Sequence, residues 1–151
     1  AALSADLVGL MDAALEAAVS HVSSREQFGV PVGTFQAVQH LASEAKVSAE
    51  AAHGLACYAG WAIDALDLEE ALLAARTAKA YCSQHAREVI EASMQLHGGV
   101  AFTWEDNVHI LARRALLSRQ PLGDEHAQLD VIADGRVFGS PGRERGFGLP
   151  R

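Results

Sequence analysis

Aromatic residues, prolines, cysteines and basic residues are all scarce in this sequence, and each scarcity excludes something. Phe, Trp and Tyr make up 6% of its 151 residues, and four prolines are too few for an all-β chain built on tight turns. Lys and Arg number 12 against 19 Asp and Glu, a formal net charge of −7. That balance argues against a broad nucleic-acid surface, because phosphates demand a basic face. It leaves room for a local anion site, where one well-placed arginine outweighs a distant acidic surface. Cys57 and Cys82 are the only cysteines. They fall in separate helical stretches and read as free, buried thiols of a cytosolic protein. The first residues carry no basic segment followed by an apolar run, so no secretory signal is expected. No stretch is long and charge-free enough to span a membrane. The expectation is a cytoplasmic protein, and Ala1 begins directly in helical pattern, as a fragment would.

Half the residues are hydrophobic, with alanine dominant. Alanine is the strongest helix former, and the length suits one domain with a real core. Leu3, Leu7, Leu10, Met11, Ala14, Leu15, Ala18 and Val22 recur at three-and-four spacing and predict a first helix ending near Ser23-Ser24. Gly29-Val30-Pro31-Val32-Gly33 interrupts it. Thr34 is the expected N-cap of a second helix to about Leu66, with Phe35, Val38, Leu41, Ala45, Ala52, Leu55 and Ala56 inward. A third is expected from about Glu69 to Leu96, using Leu72, Leu73, Tyr81, Val89, Ile90 and Met94, and ended by Gly98-Gly99. Two shorter helices, about Asn107–Arg119 and Asp124–Ala133, are separated by Pro121-Leu122-Gly123. The pattern implies an all-α antiparallel four-helix bundle with a short additional helix over residues 1–134, followed by a mobile tail over 135–151. No strand pattern of any length is visible.

Two stretches carry chemistry. Arg25-Glu26-Gln27-Phe28-Gly29 lies where the first helix gives way, with Phe35-Gln36 following. An arginine at a helix end ordinarily serves the terminal carbonyls. It also makes charge-assisted, often bidentate bonds to phosphate, while Phe28 and the glutamine amides suit a flat polar ring system. The second stretch is Gln95-Leu96-His97-Gly98-Gly99-Val100-Ala101-Phe102-Thr103-Trp104-Glu105. Paired glycines cap a helix, and they also let a ligand approach the backbone. Neither a P-loop nor a dinucleotide fingerprint is present. The seven histidines form no close pair at metal-ligand spacing, so no metal is expected. His97 suits either a cofactor contact or a loop hydrogen bond, Arg113-Arg114 a structural role, and Trp61 and Trp104 packing.

Taken together, Arg-x-x-Phe-Gly, Phe-Gln and Gln-x-His-Gly-Gly-x-x-Phe-Thr-x-Glu resemble the C-terminal domain of acyl-CoA dehydrogenases, over roughly Ala1 to Ala133. The resemblance implies a larger FAD-dependent enzyme that removes hydrogen across the α,β bond of an acyl-CoA thioester and is reoxidised by an electron-transferring flavoprotein. It implies that Arg25, Gln27, Phe28 and Gln36 contact the FAD of a neighbouring subunit, and that Gln95, Gly98 and Gly99 contact its adenosine-diphosphate half. It therefore also implies a homo- or hetero-oligomer of related subunits.

In many members of that family a glutamate just before a glycine is the catalytic base. Here Gly123 is kept but Leu122 stands in the glutamate's place, and leucine accepts no proton. Asp124 and Glu125 are the nearby substitutes, though favourable charge at the start of the last helix accounts for both. The alternatives are a base on a segment preceding Ala1, a base-free subunit of a heteromeric enzyme, a helical oligomerisation module, and a flavin monooxygenase of the same fold.

Overall fold

The computed structural model describes residues 1–137, and it is all-helical apart from one minimal hairpin. Helix α1 spans Ala2–Ser24, and strands β1 (Glu26–Gln27) and β2 (Val30–Pro31) pair antiparallel. A 3₁₀ turn over Val32–Thr34 leads into α2 (Gln36–Ala65), then α3 (Leu68–His97). A second 3₁₀ segment, Gly98–Phe102, precedes α4 (Val108–Arg119) and α5 (Glu125–Val137). Helix α3 is the central element, touching α1, α2, α4 and α5.

The inner face of α1 is the one its spacing implies: Leu7, Met11, Ala14, Leu15, Ala18 and Val22 are buried, with Leu3 and Leu10 half-buried. Val89, Ile90 and Val108 complete the large core residues. Removing one such side chain from water contributes about 1.5–3 kcal/mol. The buried residues of α2 are all alanines, Ala45, Ala49, Ala52, Ala59 and Ala62, and Ala45, Ala49 and Ala52 share a core cluster with Cys82, Ala86, Val89 and Ile90 of α3. Asp67 caps α3, accepting from the Glu70 N–H at 2.9 Å. Gly98 closes it at φ 68°, a left-handed conformation that only glycine enters cheaply.

Several local expectations are corrected. Thr34 is not the N-cap of α2: its hydroxyl donates back to Pro31 O at 2.7 Å, and Phe35 holds the cap position. The hairpin is a strand pair that the sequence does not signal, because two-residue strands have no periodicity to read. Phe35 and Leu72 are exposed rather than inward. Trp61 and Trp104 are 55% and 83% exposed, their contacts being with the rings of Tyr58 and His109. Cys82 is buried and its thiol pushed up to about 11 by desolvation, whereas Cys57 is exposed; both are free. Helix α5 runs on to Val137, into the stretch expected to be tail; the rest of that tail, 138–151, lies outside the described residues.

The turn joining α4 to α5 is held by a buried lysine. Lys79 Nζ donates to Ser83 Oγ at 2.7 Å, to Arg119 O at 2.7 Å and to Gly123 O at 3.2 Å, so all three protons are used. Lys79→Met keeps the length of the side chain but orphans two carbonyls. It is expected to lower unfolding free energy by about 2 kcal/mol, read as a fall in the denaturant midpoint at constant slope.

Candidate functional site

The antiparallel course brings the C-terminal ends of α1 and α3 and the N-terminal end of α2 to one end of the bundle. There they enclose a groove of about 610 Å³. Its walls include Arg25 and Gln27 after α1, Ala37, Val38 and Leu41 on α2, and Gln95, His97, Gly98 and Gly99 from α3 onward. Arg25, Gln27, Gln95, Gly98 and Gly99, all singled out from the sequence, therefore meet in one place. Phe28 and Gln36 do not line the groove. Phe28 stands 91% exposed at φ 57°, edge-on to Phe35 with ring centroids 6.2 Å apart. Gln36 is exposed on the first turn of α2.

The groove suits an anion beside a flat polar group. Arg25 is exposed and makes no salt bridge among the described residues, so its guanidinium is free to turn to a ligand. The start of α2 has no side-chain cap and no acidic residue in its first turn, which leaves its positive end uncompensated. A Cβ built on Gly98 or Gly99 would meet nothing within 4 Å. The fold needs glycine at 98 for its φ, but packing within the chain gives no reason for glycine at 99. The backbone at 99 is therefore open to close approach by a molecule. The donor set, an arginine, two glutamines and open glycine backbone, fits the diphosphate and adenosine half of FAD.

Beneath the groove lies a group that sequence reading left unresolved. The His97 side chain is 1% exposed, with Nδ1 2.8 Å from Ser93 O and Nε2 3.2 Å from Asp106 Oδ2. The contacts expected of a loop hydrogen bond are therefore present. His21 stacks on it with centroids 5.0 Å apart. Burial, then His97 and Arg25, hold the His21 ring below the ordinary histidine value against the opposing pull of Asp106. The i, i+4 spacing of His21 and Arg25 was the available signal for His21; Asp106 had none.

At the far end of α4, about 18 Å away along its axis, sits the turn that holds Leu122. Leu122 is 84% exposed at φ 63°. Gln128 Nε2 donates to its carbonyl. Gly123 follows at φ 90°, where a Cβ would come within 2.9 Å of Ala127 Cβ. Asp124 Oδ1 accepts from the Ala127 N–H at 3.1 Å, a bond that holds its carboxyl below the usual carboxylate range. Glu125 is paired with Arg119. Both carboxylates are thus engaged in the fold. Arg114 reaches Asp6 on α1 at 3.3 Å, and Arg113 is exposed. Among the described residues no cluster of His, Cys, Asp and Glu could hold a metal ion, and no helix is long and apolar enough to cross a membrane.

Comparison with known proteins places this geometry. The family model for the acyl-CoA dehydrogenase C-terminal domain matches residues 1–136. Acyl-CoA dehydrogenase IpdE2 of Mycobacterium tuberculosis is 33% identical over 142 residues, covering 92% of this chain and 41% of that protein. The butyryl-CoA dehydrogenase structure from Megasphaera elsdenii superposes with a TM-score of 0.83 at 27% identity, over 89% of this chain and 35% of that one. A steroid ACAD structure, Tcur3481-Tcur3483, gives 0.85 at 30% identity, over 91% and 38%. The chain spans less than half the length of each of these relatives. With a family model covering nearly all of its described residues, the chain belongs to the acyl-CoA dehydrogenase family, as its C-terminal helical domain.

Proposed function

We propose that this domain completes an FAD site across a subunit interface, within a larger protein that dehydrogenates an acyl-CoA thioester between its α and β carbons. The observation that carries this reading is the groove, which gathers Arg25 and Gln27 with Gln95, Gly98 and Gly99 from opposite ends of the fold's connectivity. Arg25 binds a phosphate oxygen, Gln27 and Gln95 supply amide donors and acceptors, and the Gly98–Gly99 backbone accepts close approach. Phe28 and Gln36, exposed beside the groove, extend the contact towards the neighbouring subunit's cofactor. When bound, that cofactor supplies a hydride acceptor for the β carbon. The electron-transferring flavoprotein is its reoxidant, and the assembly is an oligomer of related subunits. The folded unit runs from residue 1 through the end of α5 at Val137.

A second reading has its own observation. Leu122 occupies the base position in a pre-formed turn, and Asp124 and Glu125 are committed to α5 and Arg119. A base-free subunit of a heteromeric enzyme has this pattern. The test is anaerobic addition of acyl-CoA substrates to the full-length protein. Rapid flavin bleaching is expected of a competent enzyme. A full-length protein that purifies without flavin and takes up none would overturn the cofactor reading. The isolated chain, holding only part of the contact set, is expected to be colourless.

A further inference from the structure

The solvent side of α2 carries an apolar seam that nothing among the described residues covers. Val47, Ala51, Gly54, Tyr58, Trp61 and Ala65 are all exposed, at steps of four, three, four, three and four residues. That is the heptad spacing of a helix packed along another helix, and it runs about 27 Å at about 1.5 Å per residue. Val47 is 70% exposed. The Tyr58 and Trp61 rings meet with centroids 5.6 Å apart, yet each side chain stays about half exposed. The outer side of α3 is built differently: Gln84, Arg87, Glu88 and Glu91 are exposed there, with Arg87 paired to Glu91 at 2.7 Å.

The order of side chains along this seam is complementary to its own reverse. Turned end for end about Gly54, it sets Trp61 of one copy against Val47 of the other, and Tyr58 against Ala51. Each ring then meets a smaller side chain, and the two backbones come closest at Gly54. A Cβ built on Gly54 would meet nothing within 4 Å, so the helix is open to that approach. A parallel arrangement would stack ring on ring at one end and leave a gap at Gly54. Charge discriminates in the same direction. Lys46 and Asp64, about five turns apart, lie on the same flank of the seam beside Val47 and Trp61. End-for-end pairing brings Lys46 of each copy next to Asp64 of the other, whereas parallel pairing sets like charges together. Lys46 is exposed and holds Glu50 of its own copy at 2.5 Å, which leaves ammonium protons for a second carboxylate.

We propose that this seam joins α2 to α2 of a second copy of the chain, antiparallel, across a two-fold axis at Gly54. The contact is isologous, the same patch meeting itself, and so closes a dimer. It deepens the oligomer proposed above and rests on that reading for its partner, but not on the cofactor. The groove lies by Ala37, Val38 and Leu41, so a two-fold at Gly54 sends the two grooves to opposite ends, about 45 Å apart. A neighbour's cofactor is therefore met through a different face. Two Tyr and two Trp side chains, each burying about half of its surface, supply roughly 400 Å². That falls short of the roughly 1,000 Å² of a standing interface. The chain alone therefore associates weakly, with a dissociation constant on the order of 100 μM.

The test is sedimentation equilibrium of this chain up to about 1 mM, where a dimer is expected. Trp61→Ala should weaken it about tenfold, as removal of an aromatic anchor does. Gly54→Arg is the decisive variant. Within one copy the new side chain meets nothing and favours the helix, so the melting temperature should hold or rise. The blocked crossing should abolish the dimer. Asp64→Lys should weaken association about threefold, and adding Lys46→Glu should restore it, a rescue that only the end-for-end register allows. In the full-length protein, Gly54→Cys with Cys57→Ser should form a disulfide between copies, because the axis brings the two Cα atoms within reach. A monomer at about 1 mM overturns the proposal and assigns the seam to the tail or to another domain. A dimer that survives both Gly54→Arg and Trp61→Ala overturns it too, while the oligomer reading stands.

Discussion

Replacing Leu122 with glutamate is expected to raise the rate of acyl-CoA-dependent flavin bleaching by about 10²–10⁴-fold in a full-length protein that has no other base. The turn is already built for a protruding side chain: Leu122 is 84% exposed, and Lys79 and Gln128 hold the carbonyls around it. Its φ of 63° is as costly for leucine as for glutamate, so Leu122→Glu should leave the turn where it is. The opposite result is expected if a segment preceding Ala1 supplies the base. A second carboxylate then raises the pKa of one of the pair by like-charge repulsion and desolvation, and bleaching stays flat or falls. Comparing wild type and Leu122→Glu under anaerobic conditions separates the two. Rapid bleaching by wild type sinks the base-free reading, and its loss on Glu125→Gln would show that the carboxylate paired with Arg119 is the working base.

Arg25→Ala is expected to weaken FAD retention in the full-length protein by about 1.5–3 kcal/mol, or roughly 10- to 150-fold in dissociation constant. The measurement is released flavin fluorescence at equilibrium. Because Arg25 makes no salt bridge among the described residues, the substitution orphans no internal partner, and the melting temperature of this domain should hold. Arg25→Lys should recover only part of the loss, since an ammonium cannot make the paired bonds of a guanidinium. Unchanged occupancy in Arg25→Ala would remove Arg25 from the site.

How much of this was legible in the sequence follows from the range of each interaction. The course of α1 could be read because its large residues repeat at the helix period, and the end of α3 because glycine at 98 meets a local backbone need. The breaks at Gly29–Gly33 and Pro121–Gly123 could be read for the same reason. Residues of the groove were visible only as two motifs; that Arg25 and Gln95 face one space depends on the antiparallel turn between α2 and α3. Phe28 and Gln36 carried the same motif signal yet stand outside the groove, because spacing along the chain does not tell on which side of a turn a side chain emerges. Trp61 and Trp104 stand exposed in this domain, each against one ring, because hydrophobicity alone does not distinguish a core from a surface. The bond between His97 and Asp106 left no trace, because it is set by the path of the intervening 3₁₀ turn rather than by any repeat.

The alanine contact between α2 and α3 acts as a spacer. One helix carries Ala37, Val38 and Leu41 on one groove wall, and the other carries Gln95 and His97 on the facing wall. Ala45, Ala49 and Ala52, one to several turns along α2 from the opening, are buried and leave only methyl groups between α2 and the core. A larger residue at any of them has nowhere to go but between the helices, and would pry the walls apart like a shim in a hinge. Substitutions remote from the groove can thus retune how tightly it grips, while every residue that touches the ligand stays the same.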